Sequence, residues 1–293
     1  MCVDSPTVIH VIRRGSAVGG VTSLGDDVFV LPYFSSEKIE VYDAKTFTFQ
    51  RHIVVLGLGR FSYGLAACPH NSCLYACDHY DDSMHRVELS GSNAGMKWSV
   101  ARCPVGLSVN SEHNLLVVSS DERKLQIFAT RGTLLQNYQL QDDIERPLHA
   151  VQLPTGQFLV SHSGLLGLHR DIDAKKPTVL DRVCLVGVDG AVVRSYGGKR
   201  GSQLTQMYGP RGLSVDREGR VLVADRNNDR LLVIDQSLSS AHEMSVCVDG
   251  GLQCPYSLWY DQSCRRLYIG ELDGGRVIVV DNLKDFTVAQ VNA

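Results

Sequence analysis

The sequence predicts an all-β protein, a six-bladed β-propeller of four-stranded antiparallel blades. Segments of one layout recur six times along the 293 residues, and each copy contains short apolar runs separated by turn residues. The second run of the clearest copy, "RVLVAD", is apolar on both of its faces. A strand buried on both faces must lie between two sheets, and a ring of radial blades provides that position.

The repeat unit is clearest in the stretch "PRGLSVDREGRVLVADRNNDRLLVID", which begins at position 210. Similar stretches begin near 104 and 255, and weaker ones near 20, 62 and 147. We align the units on the residue just before the first apolar run, which is small in most units. This alignment makes six positions equivalent: Ser23, Gly64, Gly106, His149, Gly212 and Ser257. The resulting spacings are 41, 42, 43, 63 and 45. The long interval indicates an insertion, which we place at about 164–182 in blade four.

Each unit is expected to form four strands. In the fifth, "GLSVD" and "RVLVAD" flank a turn that ends on Gly219, "RLLVID" follows "RNN", and "AHEMSV" completes the blade. Asp225 and Arg230 occupy corresponding ends of adjacent strands, so we predict that they pair and brace the intervening loop. Asn227 and Asn228 are the residue types that tolerate a left-handed backbone in such a loop.

Ring closure requires one strand from outside the last unit. The segment "TVIHVI", residues 7–12, lies just before blade one. Before every other blade, the same place is occupied by the fourth strand of the preceding blade. We therefore predict that it completes blade six beside residues 276–281. The segment "FTVAQV", residues 286–291, could occupy the same place, and the sequence does not decide between them.

Composition narrows the class of protein. With 29 Lys and Arg against 32 Asp and Glu, the net charge of −3 lacks the overall basic excess of many nucleic-acid-binding proteins. No apolar stretch reaches the roughly 18 residues of a membrane span. Nine cysteines without a signal segment disfavour a secreted disulfide framework. We expect a soluble, cytoplasmic, monomeric domain with no membrane association and mostly reduced, buried cysteines.

The fifth unit resembles an NHL repeat, which has a P-x-G start, a G-centred turn, a V-A-D second strand and an N-x-R start of the third strand. Asp229 occupies the x position of N-x-R. Through the spacing of its repeats, nearly the whole chain is similar to the C-terminal propeller of tripartite-motif NHL proteins, and the similarity is specific over about one unit. Members of this family also serve as RNA-binding domains, receptor sensor modules and a metal-dependent amidating lyase. The resemblance thus implies a propeller with a binding face and leaves the ligand open. The cysteines lack the paired C-x2-C spacing of a RING or B-box domain.

The expected binding face collects the connections between blades and the loops between second and third strands. Candidate partner-binding residues on it are Arg211, Arg226, Asn227, Asn228, Arg230, Tyr256, Tyr63, Arg123, Lys124, His169 and Arg170. The last two belong to the insertion. We predict that this face binds a protein or peptide, without catalysis and without a cofactor.

Two alternatives remain open. Residues 194–230 hold eight basic and four acidic side chains, a local excess that could bind single-stranded RNA through Arg211, Arg226 and Tyr256. A metal-dependent lyase or hydrolase would need several ligands converging on the channel, where His149 stands alone among the aligned positions. Cys73 and Cys77 lie about 13 Å apart on a strand and cannot share a tetrahedral zinc. We therefore predict no metal site and a lone, hydrogen-bonded His149.

Overall fold

Twenty-four β-strands occur in the parts of the chain that the computed structural model describes, which are residues 6–34, 37–59, 62–89, 95–164, 180–281 and 283. They form six antiparallel sheets of four strands each. The predicted all-β architecture of six four-stranded blades is confirmed. No helix in these parts is long and apolar enough to cross a membrane.

The strands follow the chain order within the first five sheets, and each sheet is one blade. Blade one comprises β2 (Val18–Leu24), β3 (Asp27–Pro32), β4 (Lys38–Asp43) and β5 (Phe49–Val54). Blade two comprises β6 (Leu65–Cys68), β7 (Cys73–Asp78), β8 (Ser83–Glu88) and β9 (Met96–Ser99). Blade three comprises β10 (Pro104–Val109), β11 (Leu115–Ser119), β12 (Lys124–Phe128) and β13 (Leu134–Gln139).

The remaining blades follow the same layout until the last position. Blade four comprises β14 (Pro147–Gln152), β15 (Phe158–His162), β16 (Leu180–Val186) and β17 (Val192–Lys199). Blade five comprises β18 (Pro210–Val215), β19 (Val221–Asp225), β20 (Arg230–Ile234) and β21 (Ala241–Met244). Blade six comprises β22 (Pro255–Asp261), β23 (Arg266–Glu271), β24 (Arg276–Asp281) and β1 (Thr7–Arg13).

The N-terminal strand closes the ring. β1 pairs antiparallel with β24, with Val8 opposite Val280 and Val11 opposite Ile278. Blade six is thus assembled from both ends of the chain, as the sequence predicted. The competing segment 286–291 lies outside the described residues. The first strands of blades one and six, β2 and β22, also contact each other at the inner wall of the ring.

Apolar cores fill the spaces between neighbouring blades. On β19, Leu222 and Ala224 pack into the cluster shared with blade six, whereas Val221 and Val223 pack into the cluster shared with blade four. An equivalent cluster joins blades six and one. The two-sided burial of the second strand, which predicted the propeller, is therefore observed directly.

The blades place their loops on two opposite faces. We call "loop face" the one that carries the connections between blades and the loops between second and third strands, and "hairpin face" the one that carries the other turns. Gly219 makes the first turn of blade five with a φ of +76°, as predicted. The expectation for Asn227 and Asn228 is wrong: both fall in a 3-10 turn over Arg226–Asn228, and the left-handed residue is Asp229 with a φ of 53°.

Strand register corrects the alignment of blade one. Five of the six inner strands carry a bulge near their loop-face end, and in blade one it separates Val18 from Gly20. Gly20, opposite Leu31, therefore corresponds to Gly106 opposite Val118. The alignment on Ser23 was wrong by three residues, because the weak similarity of this unit did not fix its register. In blade four, β15 ends at His162 and β16 begins at Leu180.

Candidate functional site

Six equivalent residues, one at the loop-face end of the first strand of each blade, surround the central channel. Each follows the position that is proline in four of the six blades. We call this ring of six equivalent residues the neck: Gly19, Tyr63, Val105, Leu148, Arg211 and Tyr256. In five blades the register is interrupted here, and such bulges re-aim side chains. In blade one the neck residue is glycine, since a Cβ atom would collide with the Ser62 carbonyl oxygen.

The neck separates two cavities. A cavity of about 320 Å³ lies on the loop-face side, and one of about 720 Å³ lies on the hairpin-face side. All five neck side chains line both cavities. The larger cavity is walled by the inner strands and includes Leu213, Leu258 and Trp259. A ligand entering from the loop face would therefore meet the neck as the floor of its site.

Arg211 is the charged member of the neck. Its guanidinium carbon lies 4.3 Å from the centroid of the Tyr256 ring and 5.2 Å from that of Tyr63. The side chain is 9% exposed, and Nη2 is buried without a hydrogen-bond partner among the described residues. Cation–π contacts offset part of the cost of removing this charge from water. They do not supply the hydrogen-bond acceptor that Nη2 lacks.

Aromatic rings extend from the neck to the rim of the loop face. Centroid distances are 5.3 Å from Tyr63 to Tyr33 and 4.8 Å from Tyr33 to Phe34. In the other direction they are 4.8 Å from Tyr63 to His79 and 5.3 Å from His79 to Tyr80. Phe34 is 56% exposed and Tyr80 is 69% exposed. We call these five rings the aromatic chain; it joins blades one and two.

Burial controls the protonation of the groups around the neck. It raises the pKa of Tyr63 and of Tyr256, so both hydroxyl groups stay neutral. It also lowers the pKa of His79, which favours a neutral imidazole beside Tyr63. The fixed positive charge of the site is therefore carried by arginine, while its aromatic groups offer apolar faces and neutral hydroxyls.

Arg226, one of the predicted partner-binding residues, lines the loop-face cavity but is not an exposed surface residue. It is buried, and its Nε donates to Cys254 Sγ at 3.2 Å. Its guanidinium carbon lies 5.8 Å from the Tyr256 ring centroid. Arg211 is likewise buried. Both arginines line the loop-face cavity, which forms a depression in that face, and a partner would reach them by inserting a group.

Arg230 braces blade five. Its Nε donates to Asp225 Oδ2 at 2.8 Å, which confirms the predicted pair. Its other nitrogens donate to three backbone carbonyls of the incoming connection, those of Ser202, Gln203 and Gln206. Asp225 Oδ1 accepts from the Tyr208 amide of the same connection at 2.7 Å. The pair therefore ties the second and third strands to the segment that enters the blade.

The same clamp recurs in the neighbouring blades. In blade six, Arg276 Nη2 donates to Glu271 Oε1 at 2.9 Å and to the Gly251 carbonyl at 2.7 Å. In blade four, Arg182 Nε donates to His162 Nε2 at 2.8 Å, and its Nη2 donates to Asp143 Oδ2 at 2.6 Å. Burial lowers the pKa of His162 to about 3, so the ring stays neutral and can accept. An arginine at the start of the third strand is thus an architectural element.

The other predicted contact residues are dispersed. The side-chain nitrogen of Asn228 donates to Asp225 Oδ2 at 2.7 Å, and the backbone N–H of Asn227 donates to the Tyr208 carbonyl at 2.9 Å. Arg123 pairs with Asp142 and Lys124 with Glu122 at the loop-face edge of blade three. His169 and Arg170 lie outside the described residues. Arg211, Tyr63 and Tyr256 are brought together with Arg226, whereas Arg123 and Lys124 are not among the residues lining either cavity.

The local excess of basic residues in 194–230 does not form a continuous basic surface. Arg200 pairs with Asp181 at 2.7 Å, and Arg220 pairs with Asp216 at 2.6 Å. Arg230 pairs with Asp225. Asp216 and Asp225 already belong to the four acidic residues of this range, whereas Asp181 lies outside it and balances one further basic group.

His149 is hydrogen-bonded within the channel wall, as predicted. Its Nε2 lies 3.0 Å from the Leu107 carbonyl oxygen, and the Leu213 amide donates to Nδ1 at 3.4 Å. The ring thereby joins the inner strands of blades three, four and five. Burial lowers its pKa from 6.5 to about 4, an effect that the bond to Leu107 opposes.

We expect His149 to make the folded state sensitive to mild acid. Between pH 6.5 and about 4 the unfolded chain binds a proton that the folded ring does not, so the free energy of unfolding falls as pH is lowered through that range. The contribution is about 3 kcal/mol. His149→Gln should flatten the pH dependence by this amount in urea unfolding, with the difference between the two proteins at pH 8 as reference. Parallel curves down to pH 4 would contradict the assignment.

Three cysteines of blade two lie on β6 and β7. Cys68, Cys73 and Cys77 are buried and form no disulfide. Cys68 and Cys73 face each other at the end of the hairpin between β6 and β7, whereas Cys77 packs near Gly64. In the part of the chain that the structure describes, no three His, Cys, Asp or Glu side chains are arranged to hold a metal ion.

Six radial sheets closed by the N-terminal strand define the class: this is a six-bladed β-propeller. Within it, residues 207–234 match the NHL repeat family model, which places an NHL repeat in blade five. The chain is also 24% identical over 140 residues to the Protein brain tumor of Drosophila melanogaster. That alignment covers 48% of this chain and 12% of the length of that relative.

Solved structures share the fold at low sequence identity. Hydrazine synthase of Kuenenia stuttgartiensis superposes with a TM-score of 0.65 and 13% identity, covering 94% of this chain and 98% of that one. Virginiamycin B lyase from Staphylococcus aureus gives a TM-score of 0.63 and 7% identity, covering 94% and 99%. These similarities show the fold alone.

The sequence did not identify Tyr33 and Phe34 or the equivalence of the neck residues. A correct register would have revealed the neck, because the residue before each aligned anchor is Gly19, Tyr63, Val105, Leu148, Arg211 or Tyr256. The signal was one charged and two aromatic residues among six equivalent positions. The misplaced Ser23 anchor concealed the first member, and the exposure of Phe34 depends on the loop in which it lies.

Proposed function

We propose that this propeller is a non-catalytic interaction module that binds a protein or peptide on its loop face, over the depression floored by the neck. One observation carries the proposal: exposed Phe34 and Tyr80 are connected through the aromatic chain to the buried cation Arg211. Aromatic residues and arginine around a pocket are the composition typical of the energetically dominant centre of a protein interface.

The charge around the aromatic chain favours a protein over RNA. Tyr80 is followed in its loop by Asp82, and Asp121 also lines the depression, whereas the intervening Asp81 is paired with Lys97. RNA binding requires a basic groove that follows the phosphate backbone, and Asp82 and Asp121 would interrupt such a groove. The paired arginines of blade five do not supply such a groove.

The proposal predicts that loss of the two exposed rings abolishes partner capture. Phe34→Ala and Tyr80→Ala together should reduce the retention of specific lysate proteins by more than about tenfold, because truncating such residues costs 2 kcal/mol or more when they are central to an interface. Retention is measured by quantitative mass spectrometry on the immobilised chain, with nuclease-treated and untreated lysate in parallel.

Phe49→Ala is the matched control. Phe49 is 50% exposed, similar to Phe34, but lies on the outer strand β5, and its replacement should leave capture unchanged. Each variant should keep the melting temperature of the parent within a few degrees, because the replaced rings are exposed. Retention that disappears with nuclease would indicate RNA, and retention unaffected by the double variant would refute the loop-face site.

A further inference from the structure

The chemistry of the neck indicates which group of a partner enters it. Among the six neck positions, Arg211 is the charged one, and its neighbours in the ring are glycine, valine, leucine and two tyrosines. A single cation therefore lies in an apolar and aromatic ring at the floor of the depression. Repeat geometry does not require it, since the other five blades place uncharged residues at the same point.

Comparison with other buried arginines shows that Arg211 is bonded differently. Arg182, Arg230 and Arg276 are as deeply buried, yet each donates to a carboxylate and to backbone carbonyls. Arg211 forms no ion pair with the residues that the structure describes, and its Nη2 has no acceptor there. Its guanidinium carbon lies over the rings of Tyr63 and Tyr256, and these contacts provide no hydrogen-bond acceptor for Nη2.

The Arg211 side chain forms part of the wall of the loop-face cavity. Arg211 lines it together with Arg146 and Arg226, and Asp121 is the one carboxylate among its lining residues within the described parts. Ser120 and Ser163 add hydroxyl groups to the wall. Positive charge therefore exceeds negative charge at the floor, and an anionic group placed there would meet an unused, largely dehydrated donor.

We propose that the neck binds a carboxylate of the partner through Arg211, with the carboxylate entering from the loop face. This rests on the proposed protein- or peptide-binding function and deepens it. A guanidinium edge matches the two oxygens of a carboxylate in a bidentate pair. The pair would supply the acceptor that Nη2 lacks, while the guanidinium carbon keeps its contacts with the two tyrosine rings.

Access favours a carboxylate over an internal phosphate. Arg211 is 9% exposed at the floor of a depression of about 320 Å³. A phosphodiester in a nucleic-acid strand carries a nucleoside on each side, so both would have to descend with it. A chain end or an acidic side chain reaches the floor with one connection to the rest of the partner. The carboxylate thus comes either from a C-terminus or from an Asp or Glu side chain.

Four immobilised pools of short randomised peptides distinguish these sources. The pools combine a free or amidated C-terminus with the presence or absence of Asp and Glu. We expect retention from pools that contain a carboxylate and at least about tenfold weaker retention from the amidated pool without acidic residues. The pool that is retained, free C-terminus or acidic side chain, identifies the source.

Variants assign the effect to the neck. Arg211→Gln should reduce retention of the carboxylate pools to that of the amidated, acid-free pool. Arg211→Lys should retain only part of the binding, because lysine keeps the charge but lacks the planar fork. Arg217→Gln removes one exposed charge on the hairpin face and should have no effect. Melting curves identify any variant that does not fold, and the amidation comparison in the parent needs no variant.

Other outcomes would overturn the proposal. Equal retention of all four pools, lost on Phe34→Ala and Tyr80→Ala, would leave peptide binding intact and refute the carboxylate. No retention from any pool would refute both. Retention of a randomised single-stranded RNA in place of the peptides, lost in Arg211→Gln, would assign the donor to phosphate.

Discussion

We expect Arg230→Ala to lower the free energy of unfolding by about 3–5 kcal/mol, because it leaves a buried carboxylate without its charge partner. Asp225 is fully buried and would lose the Nε donor that lies 2.8 Å away. Three carbonyls of the incoming connection would lose donors as well. Urea unfolding at neutral pH measures the loss.

Arg194→Ala is the control for this prediction. Arg194 is an exposed arginine on the outer strand of blade four, and its Nη1 donates to the Ser237 carbonyl at 2.7 Å. Its removal should cost less than about 1 kcal/mol. Arg276→Ala in blade six should resemble Arg230→Ala, since the clamp has the same layout. A loss below about 1 kcal/mol for both clamp variants would mean that water replaces the arginine without penalty.

The second large effect concerns ring closure. A chain that begins at residue 14 should have a free energy of unfolding lower by more than about 5 kcal/mol, because it lacks β1, which is paired with β24 at six positions. Ile12, which is 4% exposed, would also leave the core between blades six and one. For a chain of this size we expect the melting temperature to fall by at least about 10 °C.

Aggregation should accompany the loss, because β24 would become an exposed edge strand. Removal of residues 284–293 is the matched truncation, since it deletes the competing segment 286–291 and leaves β1 in place. We expect the parent melting temperature and a monomeric elution profile for that chain. The opposite ranking of the two truncations would mean that the C-terminal segment closes the ring.

Two kinds of arginine lie on the loop face of blade five, and the experiments separate them. Arg230 is fully engaged within the blade, so its replacement should act on stability. Arg211 is stabilised by ring contacts and keeps an unused donor, so its replacement should act on binding. Sequence reasoning listed both as candidate contact residues, since a charged side chain in a predicted loop gives no indication of where its hydrogen bonds go.

The sequence determined the architecture. Six copies of a four-strand unit and a second strand apolar on both faces were enough to predict the propeller. The spare N-terminal strand favoured closure by residues 7–12 without excluding the segment 286–291. These properties are local or periodic: alternation along a strand and the chemistry of turns such as Gly219 can be seen in a short window. The Asp225–Arg230 pair was predictable for the same reason, because its members face each other across one hairpin.

Tertiary structure decided which candidate residues form one site. The repeat predicted Tyr63, Arg211 and Tyr256 on one face, and only the folded ring shows that the guanidinium of Arg211 contacts both tyrosine rings. It also decided which charges are available, because partners such as Asp181 for Arg200 lie on a different strand. A sequence records which groups carry charge, whereas burial and the direction of each side chain determine whether that charge is already balanced. In blade five, Arg230 therefore belongs to a structural clamp, whereas Arg211 keeps a donor without an acceptor.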